Sequence, residues 1–254
     1  MEKQREQDFL DRLVIFLAKR DGIDKLVKTL QYTGKLSHWH LSRRSKRSSV
    51  PNLATRAKAL EVSCGLARKA FRLGRWLSGL NNLRAPAPNL PFLALAILAN
   101  AGEMVYFFFD HFTWLSRIGV LDPSLAPRFS LVSASGEAFG YVFFVIADAI
   151  LIAQGVREER RLALELQAMV RSRDTKLGDE SSKLGGQIQA KRVAIAAIRV
   201  KRVMSAMAIA ANVADFVIAL ADIEPNPFVT HAVTLGISGL VSAWAGWYRN
   251  WPSS

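Results

Sequence analysis

Glu103, Asp148 and Asp215 each stand inside an otherwise apolar stretch. Glu103 is followed at steps of seven by Asp110 and Arg117. On one continuous helix these three share a face, drifting by about 20° per step. Ionisable groups near membrane depth tend to face the protein interior and to pair. A proton or ion path is the sharper reading; a structural ion pair, with Arg117 neutralising Asp110, is the plainer one and is adopted. His38-Trp39-His40 offers two imidazoles but no third ligand in local spacing, so no metal site is assigned. Cys64 is the single cysteine; it cannot form an intrachain disulfide, and no His stands near it in sequence. There is no G-x-S-x-G, phosphate loop, dinucleotide fingerprint or H-E-x-x-H. The pattern therefore points to no enzyme and no cofactor.

A second kind of chemistry is lipid contact. Across residues 52–83, Leu66, Ala70, Leu73, Leu77 and Leu80 recur at helical steps and cover roughly an 80° arc. Arg68, Lys69, Arg72 and Arg75 fall on the other side, and Glu61 is the only acid in the stretch. Long basic side chains can lie along a lipid boundary with their heads at the phosphates. The same wheel also fits a solvated basic face on a helix packed in a bundle. In the last apolar segment Thr234, Ser238, Ser242 and Gly246 repeat every four residues, and Gly236 and Gly239 widen the surface. Small residues let helix backbones approach closely, either within the chain or between copies. The tryptophans at 244, 247 and 251, with Tyr248, read as an interfacial belt.

The elements that must position these residues follow from composition. The 254 residues are half hydrophobic, yet the formal net charge is +13 and the mean hydropathy is +0.14. Greasy spans with separate basic flanks reconcile the two. Residues 1–84 are a basic region of amphipathic helices, with one helix over 5–20 and a second opening near Asp21 as N-cap. Residues 36–51, with the run RRSKRSS, read as a loop. Residues 85–153 are expected to form a membrane-embedded hairpin of two apolar segments, 90–109 and 138–153; residues 154–202 are a charged helical linker broken by a flexible loop at 174–186; residues 203–254 form a C-terminal transmembrane hairpin, 203–221 and 228–248, whose second arm is the best span. Both basic blocks then face the cytosol by the positive-inside rule, as do both termini. The expected fold is all-α, a multi-helix membrane protein. Neighbouring spans make anionic lipid, rather than nucleic acid, the partner of the basic blocks.

In this order the segments resemble the peroxin eleven family of peroxisome membrane proteins. The resemblance is carried by RDGIDKLVKTLQYTGKL at 20–36, RAKALEVSCGLARKAFRLGRWLSGLNNL at 56–83 and DHFTWLSRIGVLD at 110–122, and more loosely by the Gly-rich closing helix GISGLVSAWAGWYRNW. It implies a homo-oligomeric protein of the peroxisomal membrane that inserts an amphipathic helix, elongates the membrane and meets fission machinery. By motif position that helix is 56–83, with Leu66, Leu73, Leu77 and Leu80 toward lipid and Arg68, Lys69, Arg72 and Arg75 toward phosphate. The alternatives are a pore for small metabolites, which the intramembrane acids would suit, and a scaffold that binds partners through 154–202.

Overall fold

The computed structural model describes residues 8–45, 51–84, 90–173 and 179–252. Among these there is no strand. The helices are α1 (Phe9–Ala18), α2 (Arg20–Ser45), α3 (Pro51–Phe71), α4 (Trp76–Asn82), α5 (Leu90–Arg117), α6 (Ala126–Arg173), α7 (Asp179–Ile223) and α8 (Ala232–Asn250), with a 3₁₀ turn at Pro123–Leu125.

α1 starts at a capping box: the Asp8 carboxylate accepts from the Asp11 amide, and Asp11 reaches back to the Asp8 amide. Phe16, fully buried, stacks on Trp247 with centroids 4.4 Å apart. The chain leaves α1 through an extended Lys19, and α2 begins at once. Asp21 lies in the first turn of α2 rather than capping it; its carboxylate is engaged by Arg75 instead. Gly22 permits the crossing, because a Cβ there would run into the Phe16 carbonyl. α2 continues to Ser45, so the loop expected from residue 36 is helical up to that point, and residues 46–50 lie outside the described residues. His38 keeps the extra turns docked, its Nδ1 3.0 Å from the Ala54 carbonyl oxygen.

The stretch expected as one helix over 52–83 is two. Gly74 takes φ +72° and ends the first, a left-handed conformation that costs glycine little. α4 follows, pinned by Gly79 against Met104 and by an Asn82–Asn100 hydrogen bond of 3.2 Å.

Among the described residues, α5, α6 and α7 are the three helices long and apolar enough to cross a membrane, and their most apolar stretches keep most residues facing outward. α6 has 48 residues and α7 has 45, about 72 and 68 Å at 1.5 Å per residue. A bilayer core is about 30 Å thick, so both helices project well beyond it. The charged region 154–202 is thus not a separate linker: residues 154–173 continue α6 and 179–202 begin α7. Of the loop expected at 174–186, residues 179–186 are helical and 174–178 lie outside the described residues. The projecting arm is laced by Glu159 with Arg199 and Arg202, and by Glu165 with Lys191.

α8, expected as the best span, is not among the helices that qualify. It is a packing element lodged between α2 and α7. Its small residues receive α2: Gly236 lies under Leu36, Gly239 under the Tyr32 ring, and Gly246 under Lys25, whose Cε would be 2.6 Å from an added Cβ. Ser242 is fully buried, while Thr234 and Ser238 are half-buried. A side chain at Gly239 must expel Tyr32; overpacking of this kind costs about 1–3 kcal/mol. Gly239→Val is accordingly expected to lower the melting temperature of the detergent-solubilised protein by several degrees, whereas Ile237→Val, on the open face, should leave it unchanged.

α5 and α6 touch backbone to backbone. An added Cβ at Gly102 would lie 2.6 Å from the Gly136 carbonyl oxygen and 2.6 Å from the Gly140 nitrogen. In sequence of contact, α3 packs on α2, α2 on α8, α8 on α7, α7 on α6 and α6 on α5, and α5 returns to α3 and α4. The helices therefore close a ring.

Candidate membrane-facing site

The four cations expected at lipid phosphates point inward. Arg68, 7% exposed, donates from Nε to the Asp24 carboxylate at 3.1 Å and from an Nη to the Gln31 side-chain oxygen at 2.8 Å. Arg72 donates to the same carboxylate at 3.2 and 3.4 Å and to the Tyr106 hydroxyl. Lys69 pairs with Asp110. Arg75 donates to Asp21 at 2.6 Å and lies 4.9 Å from the centroid of the Phe107 ring. This corrects the phosphate-facing reading. A buried charge needs a partner, and α2 and α5 present Asp21, Asp24 and Asp110 to the α3–α4 segment. Burial pushes the Asp24 carboxyl up, but Arg72, Arg68 and Lys25 outweigh it and hold it well below the usual carboxylate range. Burial also draws the neighbouring Lys28 ammonium down to about 7, against the pull of Asp215.

The Asp110–Arg117 pair is likewise corrected. Two helical turns, about 10 Å of rise, separate the residues; Asp110 is taken by Lys69, and Arg117 is exposed at the end of α5. Lys69→Ala, which strands the buried Asp110, is expected to destabilise the protein by about 3–5 kcal/mol. Arg117→Ala should change stability by less than about 0.5 kcal/mol. Thermal melts of the two variants in one detergent distinguish the pairings.

With the cations turned in, the leucines turn out. Leu73, Leu77 and Leu80 are 48%, 52% and 43% exposed, Phe71 beside them is also exposed, and Leu66 is half-buried. The result is a short apolar ledge that runs from the α3–α4 turn onto α4, held from behind by ion pairs. It is too short to span a bilayer and is carried by a body whose neighbouring helix α5 can.

Comparison with known proteins gives the family. The family profile of Peroxisomal biogenesis factor 11 (PEX11) matches residues 10–251. The chain belongs to the PEX11 family. It is 62% identical to Peroxisomal membrane protein 11-4 of Oryza sativa subsp. indica over 97% of this chain and 98% of the relative. It is 53% identical to Peroxisomal membrane protein 11B of Arabidopsis thaliana, over 97% and 99% of the two chains. A Peroxisomal membrane protein 11 homolog of Dictyostelium discoideum is 28% identical over 99% and 98%. No solved structure matches the chain.

The acids within the apolar helices of this PEX11-family chain differ in how they are paired. Asp215 is fully engaged: it pairs with Lys28 and accepts from the Ser242 hydroxyl at 2.6 Å, while Lys28 also donates to Ser242 at 2.7 Å. Asp215 borders a cavity of about 350 Å³ inside the helix ring together with Glu103 and Asp148. Glu137 borders it too, accepting from the Tyr141 hydroxyl at 2.7 Å. The sequence reading missed Asp21, Asp24, Lys28 and Glu137 as site residues. A signal was present: Asp21, Asp24, Lys28 and Gln31 recur at steps of three and four along α2, a polar stripe beside its apolar one.

Proposed function

We propose that this chain acts in the peroxisomal membrane, bending and elongating it by shallow insertion of the α4 ledge and so promoting peroxisome proliferation and fission. The observation that carries the reading is the outward row of Leu73, in the turn before α4, with Leu77 and Leu80 on α4 itself, a helix too short to cross. A wedge in one leaflet expands that leaflet relative to the other, and the bilayer curves toward the wedge. The relatives named for the peroxisomal membrane support the location. We place the basic arm of α6 and α7 and both termini in the cytosol, since basic loops stay on that side. Self-association would concentrate the wedges, anionic phospholipid would attract the basic flanks, and fission machinery would act on the elongated membrane. The test is reconstitution of the full chain into liposomes: tubules seen by electron microscopy support the reading, and smooth spherical vesicles at the same protein density overturn it. A pore for small metabolites is the second reading, favoured by the polar cavity; loss of single-channel conductance in Asp215→Asn would support it.

A further inference from the structure

We infer that the groove between α6 and α7, at the level where these helices leave the membrane, is a binding site for one anionic phospholipid. The groove, of about 440 Å³, is lined by Ile152, Glu159, Arg199, Arg202, Val203 and Ala206. It shares no lining residue with the cavity inside the ring, and Val203 and Ala206 are exposed. Its two ends differ in kind. Glu159, Arg199 and Arg202 stand at the root of the projecting arm, whereas Ile152, Val203 and Ala206 belong to the apolar stretches 138–153 and 203–221. From Arg199 to Ala206 the helix rises about 10 Å. One headgroup layer is about 5–8 Å deep. A single open groove thus runs from phosphate level into the hydrocarbon.

The charges at the polar end are unequal. Glu159 accepts from Arg199 Nε at 2.6 Å and also from Arg202, so two guanidinium groups share one carboxylate. The nearest other acids are engaged elsewhere: Glu158 pairs with Arg161, Glu165 pairs with Lys191, and Asp148, one turn below Ile152, lines the ring cavity instead. The Arg199 side chain is 67% exposed. Among the described residues Arg202 Nε has no acceptor. Each guanidinium carries five N–H donors, so Glu159 saturates neither. One phosphodiester supplies the single negative charge that balances the set, and its oxygens suit the planar fork of arginine. Gly155 makes room for this arrangement, because a Cβ there would lie 2.9 Å from Arg202 Cγ. An acyl chain below the phosphate lies along Ile152, Val203 and Ala206. An acidic peptide would meet the same cations but leave that apolar floor unused. The inference rests on α6 and α7 crossing the membrane and not on the α4 ledge.

The test is native mass spectrometry of the full chain in neutral detergent, titrated with palmitoyl-oleoyl phosphatidylglycerol, with the matching phosphatidylcholine and with glycerol 3-phosphate. One phosphatidylglycerol is expected to saturate the chain, about tenfold tighter than phosphatidylcholine, and glycerol 3-phosphate should not displace it. Arg199→Ala should weaken phosphatidylglycerol about tenfold, the cost of a lost charged hydrogen bond. Glu159→Gln removes the competing acid and should tighten binding, a change that a merely structural ion pair does not produce. Ala206→Trp fills the apolar floor and should weaken both lipids. Arg157→Ala and Lys201→Ala remove exposed cations that do not line the groove and should change the affinity little. Failure of the unaltered chain to retain one lipid overturns the inference. So does displacement by glycerol 3-phosphate, which would make this a site for free anions. An equal loss in Arg157→Ala and Arg199→Ala overturns it too, since that would show only diffuse attraction to a basic arm. Tubulation is read separately, so failure here is distinct from failure of the membrane-bending reading.

Discussion

Leu77→Glu is expected to remove most tubulation while leaving the protein in the membrane. About half of the Leu77 side chain faces outward. Burying a whole leucine side chain contributes about 1.5–3 kcal/mol, so the exposed half accounts for about 1 kcal/mol. A carboxylate in its place adds about 1 kcal/mol of repulsion from an anionic surface. Together these shift the inserted population of α4 about 30-fold. Leu73→Glu acts on the same ledge to the same extent, and the double variant should abolish tubulation. α5, α6 and α7 are untouched, so carbonate extraction should still find both variants in the membrane fraction. Normal tubules from the double variant would end the wedge reading. The control is Leu77→Phe, which keeps the ledge apolar and should keep the activity.

The second large effect belongs to Asp24. Its carboxylate, 1% exposed, lies against Arg68 and Arg72. Asp24→Asn leaves two buried guanidinium groups without their counter-charge, and breaking a buried pair from one side costs about 3–5 kcal/mol. The α2–α3 seam should loosen, and with it the mounting of α4. A fall in melting temperature and faster tryptic cleavage at Arg68 and Arg72 are the expected readouts; an unaltered melt would show that these ion pairs do not hold the seam. The pH dependence has a definite sign. Because the folded-state pKa of Asp24 is depressed below 3.8, its contribution is fully present above the ordinary carboxylate range. It is lost as pH falls from there toward the depressed value. Between about pH 5 and 3 the unaltered protein should therefore lose stability more steeply than Asp24→Asn, which has no such proton to take up.

Ion pairs of this kind show why a helical wheel is only half an answer. Leucines and cations do lie on opposite sides of the 66–80 segment, as periodicity requires. The wheel gives an angle; it carries no information on which side meets the low-dielectric interior. That was settled by Asp24, 44 residues before Arg68 in the chain, and by Asp110, 41 residues after Lys69. No local pattern links residues so far apart. The same limit explains Arg117, whose spacing from Asp110 gave a shared face but not proximity. It also explains α8, whose hydropathy and small residues read as a span and a helix contact. Only the packed ring shows that α2 occupies the small-residue face.

Much was determined by the residues taken alone: an all-helical chain with apolar segments, basic flanks and the motifs of its family, because helix periodicity and transfer of apolar side chains from water are local properties. The inward turn of the four cations, the outward ledge of leucines and the polar cavity inside the helix ring were decided by tertiary structure. Each depends on charges meeting across helices, and the favourable partner of a buried charge is chosen by distance in space, not in sequence.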